Sequence, residues 1–259
     1  MTVIELYPHL LERSVTIQAN PRIVFGFFTD SERWARWWGQ GSLIDARPGG
    51  RMLICYPNGP KASGEVLEVR APERIAFTYG YESGIPIASG RSRVTIRLEA
   101  IEVGTRLHLV HEFFEPEVRD QHIAGWRFQL SVFCNLVADE VFASASAVVD
   151  AWFQAWAIPD DQERMRAFEK IAVAQVRFND RFSALESLSE LSAHAGAAQR
   201  FMPGVQLRRD GVVRHCQGSV LVNWNAVGGG NSLASGTNLF MLDQACRILS
   251  VVGFSGSPG

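Results

Sequence analysis

Residues 13–19 (RSVTIQA) alternate, putting Val15, Ile17 and Ala19 on one face and polar groups on the other, the pattern of a half-buried strand. Asn20 followed by Pro21 reads as a helix N-cap and first helical position, and Ile23, Val24, Phe27 and Phe28 supply one apolar stripe behind it. A second short helix carries Trp34, Trp37 and Trp38 and stops at Gly39 and Gly41. From Ser42 to Phe114 the chain changes period. Turn signals at Pro48-Gly49-Gly50, Asn58-Gly59-Pro60, Ala71-Pro72-Glu73 and Val103-Gly104-Thr105 separate β-rich runs, and RVTIRL and RLHLV make a hairpin across Glu102-Val103-Gly104. After Pro116 the period turns helical for about five turns, with Ile123, Trp126, Leu130, Phe133 and Val137 on the core face.

The second half begins with helices marked by Ala147 to Trp156 and by Met165, Phe168 and Ile171. The strand VRF (Val176 to Phe178), the turn Asn179-Asp180 and a helical segment from Leu188 to Phe201 follow. Four strands close the chain: VQLRRD, VVRHCQGSVLVNWNAV, SGTNLFMLD and ILSVVGFSG, joined at Gly228-Gly229-Gly230 and Asp243 to Cys246. Helices followed by a meander predict an α+β unit. The join, LVADEVFASASAV, lacks Pro and Gly and predicts a stiff connection between domains 1–142 and 143–259.

Length agrees with two domains, at 259 residues. With 25 basic against 27 acidic side chains and charge balanced within each half, there is no global attraction for nucleic acid or an anionic membrane, so neither is an expected partner. Cys55, Cys134, Cys216 and Cys246 form no CxxC, and reduced, packed thiols are expected. The N-terminal stretch lacks a basic region followed by an apolar run, and no segment reaches the length of a membrane span, which together predict a cytoplasmic protein.

Three stretches give the first half a family likeness. VFGFFTDSERWARWWG (Val24 to Gly39), RPGGRMLICYPNGPKASGEVLEVRAPERIAFTY (Arg47 to Tyr79), and SRVTIRLEAIEVGTRLHLVHEFF with HIAGW (Ser92 to Trp126) resemble, in order, the first helix with its tryptophans, the strand core, and the last hairpin and Gly-Trp helix of the Hsp90 ATPase activator homologue-like domains, within the START/Bet v 1-like (SRPBCC) superfamily. The resemblance implies a helix-grip fold: a curved antiparallel sheet around a long C-terminal helix, with an apolar cavity between them. In the second half, AVVDAWFQAW, VRFNDRF and SGTNLFMLDQACRILSVVGFSG resemble the NTF2-like, or SnoaL-like, family, which implies an α+β cone that often pairs through its open sheet and in enzymatic members carries an acidic or histidine base.

Candidate chemistry is sparse. Trp37, Trp38, Tyr79, His111 and Trp126 are expected to converge on the first cavity, while Trp34 is assigned to the core. His111-Glu112 and His122 lack metal-ligand spacing, and no Gly-rich phosphate cradle occurs, so neither a metal nor a cofactor is expected. In the cone Asp180 is the candidate base, with helix or turn capping as its competing role, and His215, Trp224 and Asn238 are candidate partners. All four tyrosines lie in the first half, so the cone has no phenolic oxyanion donor. The leading expectation is a small apolar ligand bound in the first domain of a homodimer. An isomerase or cyclase in the second domain and contact with Hsp90 are the alternatives.

Overall fold

The computed structural model describes residues 7–256. Two compact units divide the chain, Met1–Ala138 and Asp139–Gly259. The first contains β1 (His9–Ile17), α1 (Pro21–Gly26), α2 (Ser31–Trp38), β2 (Leu43–Ile44), β3 (Arg51–Cys55), β4 (Lys61–Arg70), β5 (Arg74–Tyr79), β6 (Ser92–Ile101) and β7 (Gly104–Phe113). The long helix α3 (Pro116–Val141) follows. Sheet order is β1-β7-β6-β5-β4-β3-β2, antiparallel throughout. This is the helix-grip arrangement, with an α+β cone as the second unit.

Local sequence accounts for the helix starts. Asn20 Oδ1 accepts from the Ile23 N–H at 3.1 Å, and Asp30 Oδ1 accepts from the Arg33 N–H at 2.9 Å, each capping a donor that the first helical turn leaves free. α2 ends at Gly39, whose φ of +136° and close approach to the Cys55 carbonyl leave no room for a β-carbon. On β7 the alternation is strict, with Leu107, Leu109, His111 and Phe113 inward and His108, Val110 and Glu112 outward. Glu112 pairs across the outer face with Arg93 at 2.6 Å.

Along α3 the buried face runs through His122, Trp126, Leu130, Phe133 and Val137. The expected Ile123 is only partly covered, because His122 stands one turn before Trp126 and takes the core-facing position. Burying Trp126, Leu130, Phe133 and Val137 contributes roughly 1.5–3 kcal/mol each, which fastens the helix to the sheet.

The second unit holds α4 (Ala145–Trp156), α5 (Asp161–Glu169), β8 (Ala172–Asn179), β9 (Ala184–Leu185) and α6 (Leu188–Phe201). Four strands follow: β10 (Gln206–Cys216), β11 (Ser219–Gly228), β12 (Asn231–Leu242) and β13 (Ile248–Ser255). Two strand boundaries differ from the sequence expectation. VQLRRD and VVRHC form one strand with a bulge between Asp210 and Arg214, where Gly211 takes φ +76°. The chain reverses instead at Gln217 and Gly218, both at positive φ, as a two-residue hairpin requires. The unit is also not a pure meander, since β13 pairs parallel with β8 and gives the order β10-β11-β12-β13-β8-β9.

Trp152, Phe168, Phe178 and Phe240 fill the inner side of this sheet. Arg164, 1% exposed, donates to the carbonyls of Ser192 (2.8 Å), Ile158 (2.8 Å) and Pro159 (3.2 Å) and reaches Asp161, so one guanidinium ties α5 to α6 and to the preceding loop. On the opposite face Leu221, Leu239 and Val252 stand in one row across β11, β12 and β13, flanked by Met241 and Phe254, all at least partly exposed.

Candidate functional site

The C-terminal end of α2, the ends of β3 and β5, and the first half of α3 surround a cavity of about 760 Å³ in the first unit. Its wall is mostly aromatic: Trp37 and Trp38 from α2, Tyr56 and Tyr79 from the strand ends, Tyr81 two residues on, and Trp126 from α3. That volume suits a drug-sized molecule. No carboxylate lines it, and Arg36, at the exposed rim, is the one permanent charge among the lining residues.

The three indoles of α2 do different things. Trp34 is fully buried, donates to the Leu53 carbonyl at 3.1 Å and serves the core, as expected. Trp37 donates to the Phe27 carbonyl at 3.3 Å. Trp38 is only 4% exposed, yet its Nε1–H has no partner among the described residues. Its ring lies 4.3 Å from that of Trp37, centroid to centroid, and edge-on to Tyr56 and Trp126.

Behind the wall lies a closed hydrogen-bond chain. Ser92 Oγ donates to the Tyr79 carbonyl at 2.8 Å, which uses its one proton, so its 2.8 Å contact with His111 Nε2 requires an N–H on that nitrogen. Nδ1 of the same ring accepts from the Trp126 indole at 2.8 Å. His111 is thereby fixed as the neutral Nε2–H tautomer, and burial holds its pKa well below the usual histidine value, with nearby His122 adding to the effect. His111 therefore supports Trp126 from behind rather than lining the cavity.

His122 has the opposite tautomer. Its Nδ1 faces the Val118 carbonyl at 2.7 Å and must carry the proton, because a carbonyl only accepts. Burial lowers its pKa, the Val118 bond opposing, so Nε2 presents a lone pair, and that buried atom has no partner among the described residues. Tyr56 and Tyr79 share a hydroxyl–hydroxyl bond of 2.8 Å, Tyr81 adds a third phenol beside them, and burial first, then the neighbouring phenols, pushes Tyr79 far above the ordinary phenol value. Burial likewise raises Tyr56. Tyr56, Tyr79 and the His122 imidazole are thus uncharged at neutral pH.

Of the cavity residues expected from sequence, Trp37, Trp38, Tyr79 and Trp126 line the space and His111 backs it. Tyr56, Tyr81 and His122 were missed as cavity residues. Two signals pointed to Tyr81 and His122: Tyr81 follows Tyr79 at the two-residue spacing of one strand face, and His122 precedes Trp126 by one helical turn.

In the second unit Trp224 donates to Asn238 Oδ1 at 3.0 Å, and a β-carbon placed on Gly253 would lie 3.2 Å from both Asn238 Oδ1 and Asp180 Cβ, so these three side chains gather around one glycine. Asp180 Oδ1 accepts from the Phe182 N–H at 2.8 Å, the turn-capping geometry. His215 lies elsewhere. On β10 it is separated from β8 by three strands, its Nε2 accepts from the Gly218 N–H at 3.0 Å, and its ring meets Phe142. The expected partnership of His215 with Asp180 is therefore not formed. Among the described residues no three His, Cys, Asp or Glu side chains form a metal-binding group, and no single helix is long and apolar enough to cross a membrane.

Residues 18–138 match the family model described as Activator of Hsp90 ATPase homolog 1-like protein. Among solved structures the chain is similar to an isomerase candidate of the SnoaL-like family from Agrobacterium tumefaciens, at 22% identity over 44% of this chain and 99% of that one, TM-score 0.43. It is also similar to protein MLL2253 from Mesorhizobium loti (20%, 50% and 96%, TM-score 0.45) and to the Aha1 dimer from Colwellia psychrerythraea (14%, 47% and 90%, TM-score 0.42). No curated protein matches the sequence.

Proposed function

We propose that this chain, whose residues 18–138 form an Activator of Hsp90 ATPase homolog 1-like domain, is a binding protein for a small, largely apolar molecule held between α2, the sheet and α3 of that domain. The observation that carries the reading is the cavity of about 760 Å³ walled by Trp37, Trp38, Tyr56, Tyr79 and Trp126. Rigid aromatic walls give a ligand a large apolar contact at little cost in side-chain entropy. The second unit serves assembly in this proposal. Its outer row of Leu221, Leu239 and Val252, with Met241 and Phe254 beside it, is an apolar strip suited to a second copy of the same sheet.

This proposal assigns no chemistry to the second unit, where Asp180 Oδ1 caps a turn by accepting from the Phe182 amide and aromatic side chains pack inside the sheet. Native mass spectrometry of freshly purified protein, followed by extraction and identification of any released molecule, tests the reading. A co-purifying apolar compound at near-equal stoichiometry, displaced when Trp38 is replaced by Ala, is the expected result. Release that is indifferent to that substitution would locate the ligand elsewhere.

A further inference from the structure

The sheet of the first unit has a second concavity, on the face that turns away from its core. Register puts Ala76 of β5, Thr95 of β6 and Val110 of β7 side by side in one row across the strands, and these short side chains floor a trough of about 510 Å³. The row on one side of this floor carries Arg74 opposite Arg97, and the row on the other carries Arg93 opposite Glu112. Ala76 and Thr95 face outward yet are only 4% and 6% exposed, so the longer side chains stand as walls over a recessed floor. Leu67 of β4 and Leu10 of β1, 42% and 48% exposed, mark its two ends.

Two donors in the trough have no partner among the described residues. Glu68 is shared between Arg70 at 2.6 Å and Arg74 at 2.8 Å, and Glu112 holds Arg93 at 2.6 Å, so both acids are taken. Arg97 makes no ion pair, although it stands directly opposite the like charge of Arg74. The Thr95 hydroxyl makes no hydrogen bond, and its residue lies two positions from Arg97 on the same strand face, about 7 Å along the backbone. A recessed hydroxyl beside an unpaired guanidinium is a donor set for a carboxylate.

Charge and length narrow the occupant. Three arginines against two glutamates leave the trough one net positive charge, which matches a single carboxylate, whereas a polyanion would meet Glu68 and Glu112. Neighbouring strands lie about 4.8 Å apart, so Thr95 on β6 is two spacings, about 10 Å, from β4 at one end and from β1 at the other. A polyproline-II chain rises about 3.1 Å per residue with three residues per turn, so its positions three apart share a face at a spacing of about 9 Å. A β-strand puts positions three apart on opposite faces and does not fit this spacing.

We infer that the outer face of this sheet docks a partner protein through a polyproline-II segment of the pattern apolar-x-x-acid-x-x-apolar. Its central carboxylate accepts from Arg97 and Thr95, and its apolar ends rest on Leu67 and Leu10. The trough is on the other side of the sheet from the aromatic cavity, so the inference goes beyond the binding reading above and is tested separately from it.

The probe is acetyl-Leu-Pro-Pro-Glu-Pro-Pro-Leu carrying a dye through a Gly-Gly tail, titrated with the full chain and followed by fluorescence anisotropy. Replacing the peptide glutamate by glutamine, or making Arg97→Gln in the protein, is expected to weaken binding about fivefold, the effect of one partly screened charge pair. The two changes together should cost no more than either alone, because they remove the same contact. Thr95→Val keeps the side-chain shape and should weaken the glutamate peptide while leaving the glutamine peptide unchanged. Unaltered melting temperatures show that both variants fold. No binding at about 1 mM protein overturns the inference. So does binding indifferent to Arg97→Gln and Thr95→Val, which puts the peptide elsewhere, and so does equal displacement by acetate at matched ionic strength, which reduces the trough to a site for free anions.

Discussion

The indole N–H of Trp126 points at Nδ1 of His111 across 2.8 Å, joining the long helix to the innermost strand position by a bond that fixes the imidazole tautomer. Trp126→Phe keeps most of the apolar volume but leaves a buried acceptor unanswered, so it should cost about 1–3 kcal/mol in urea denaturation. Nitrogen-detected NMR gives an independent check. His111 should show a protonated Nε2 in the unmodified protein, and a mixture of tautomers would contradict the chain through Ser92.

Stability should fall on mild acidification. The folded pKa values of His111 and His122 lie below 6.5, so between that value and the folded ones the unfolded chain binds more protons than the folded one. Stability conferred by the neutral rings is thus present in full above the unfolded pKa and shrinks as pH drops, at about 1.4 kcal/mol per pH unit for each histidine. Urea melts between about pH 7 and pH 5 read this slope. A His111→Phe, His122→Phe double variant should lose most of it.

Gly125 offers a way to separate binding from folding. It lines the cavity on α3, and a β-carbon built there meets nothing within 4 Å. Gly125→Leu should raise thermal stability, because glycine costs about 0.8–1.0 kcal/mol in a helix interior relative to a good helix former. The same side chain should obstruct the cavity and weaken ligand binding. Lower stability together with unchanged binding would show that the glycine has a packing role instead.

Arg164 is the second unit's counterpart to this buried network. Arg164→Met keeps the stem but strips three carbonyls of their donor, at an expected cost of about 3 kcal/mol. Calorimetry should show the destabilised transition, while titration of the first unit's cavity is unaffected.

The outer strip predicts an assembly state. Leu239→Lys places a charge in the middle of the row Leu221, Leu239 and Val252, and should convert a dimer into a monomer by light scattering without lowering the melting temperature by more than a few degrees. A protein that is already monomeric before substitution would remove the strip's proposed role.

Much of the architecture was legible because the relevant signals are local. Asn20 caps a helix wherever the rest of the chain goes, and the segment Leu188 to Phe201 carries its own helical period to both observed ends. The pairing of β13 with β8 was not legible, since a parallel contact between strands about 75 residues apart leaves no mark in either one. Gln217-Gly218 escaped notice because glutamine is not among the residues that usually announce a positive-φ turn.

At the site, sequence supplied most of the aromatic wall but not the hydrogen-bonding state of the atoms behind it. His122 was read against a metal-ligand template and not against the helix face it shares with Trp126. Its isolation is a property of what surrounds Nε2, and no spacing rule records that. For Asp180 and His215 the residue types were right for acid–base work, but strand order decides which of them can meet.

The closeness of Trp37 and Trp38, 4.3 Å between ring centres and tilted by 34°, has a consequence for light. Two indoles so placed do not absorb independently: their transitions mix, and the pair should give a split band of opposite signs in circular dichroism. Trp34 and Trp126 lie within 6 Å of a member of the pair, so excitation anywhere in this group can migrate to the ring with the lowest energy. A molecule touching one wall of the cavity would alter the emission of the whole group, which would make the first unit its own optical reporter of occupancy.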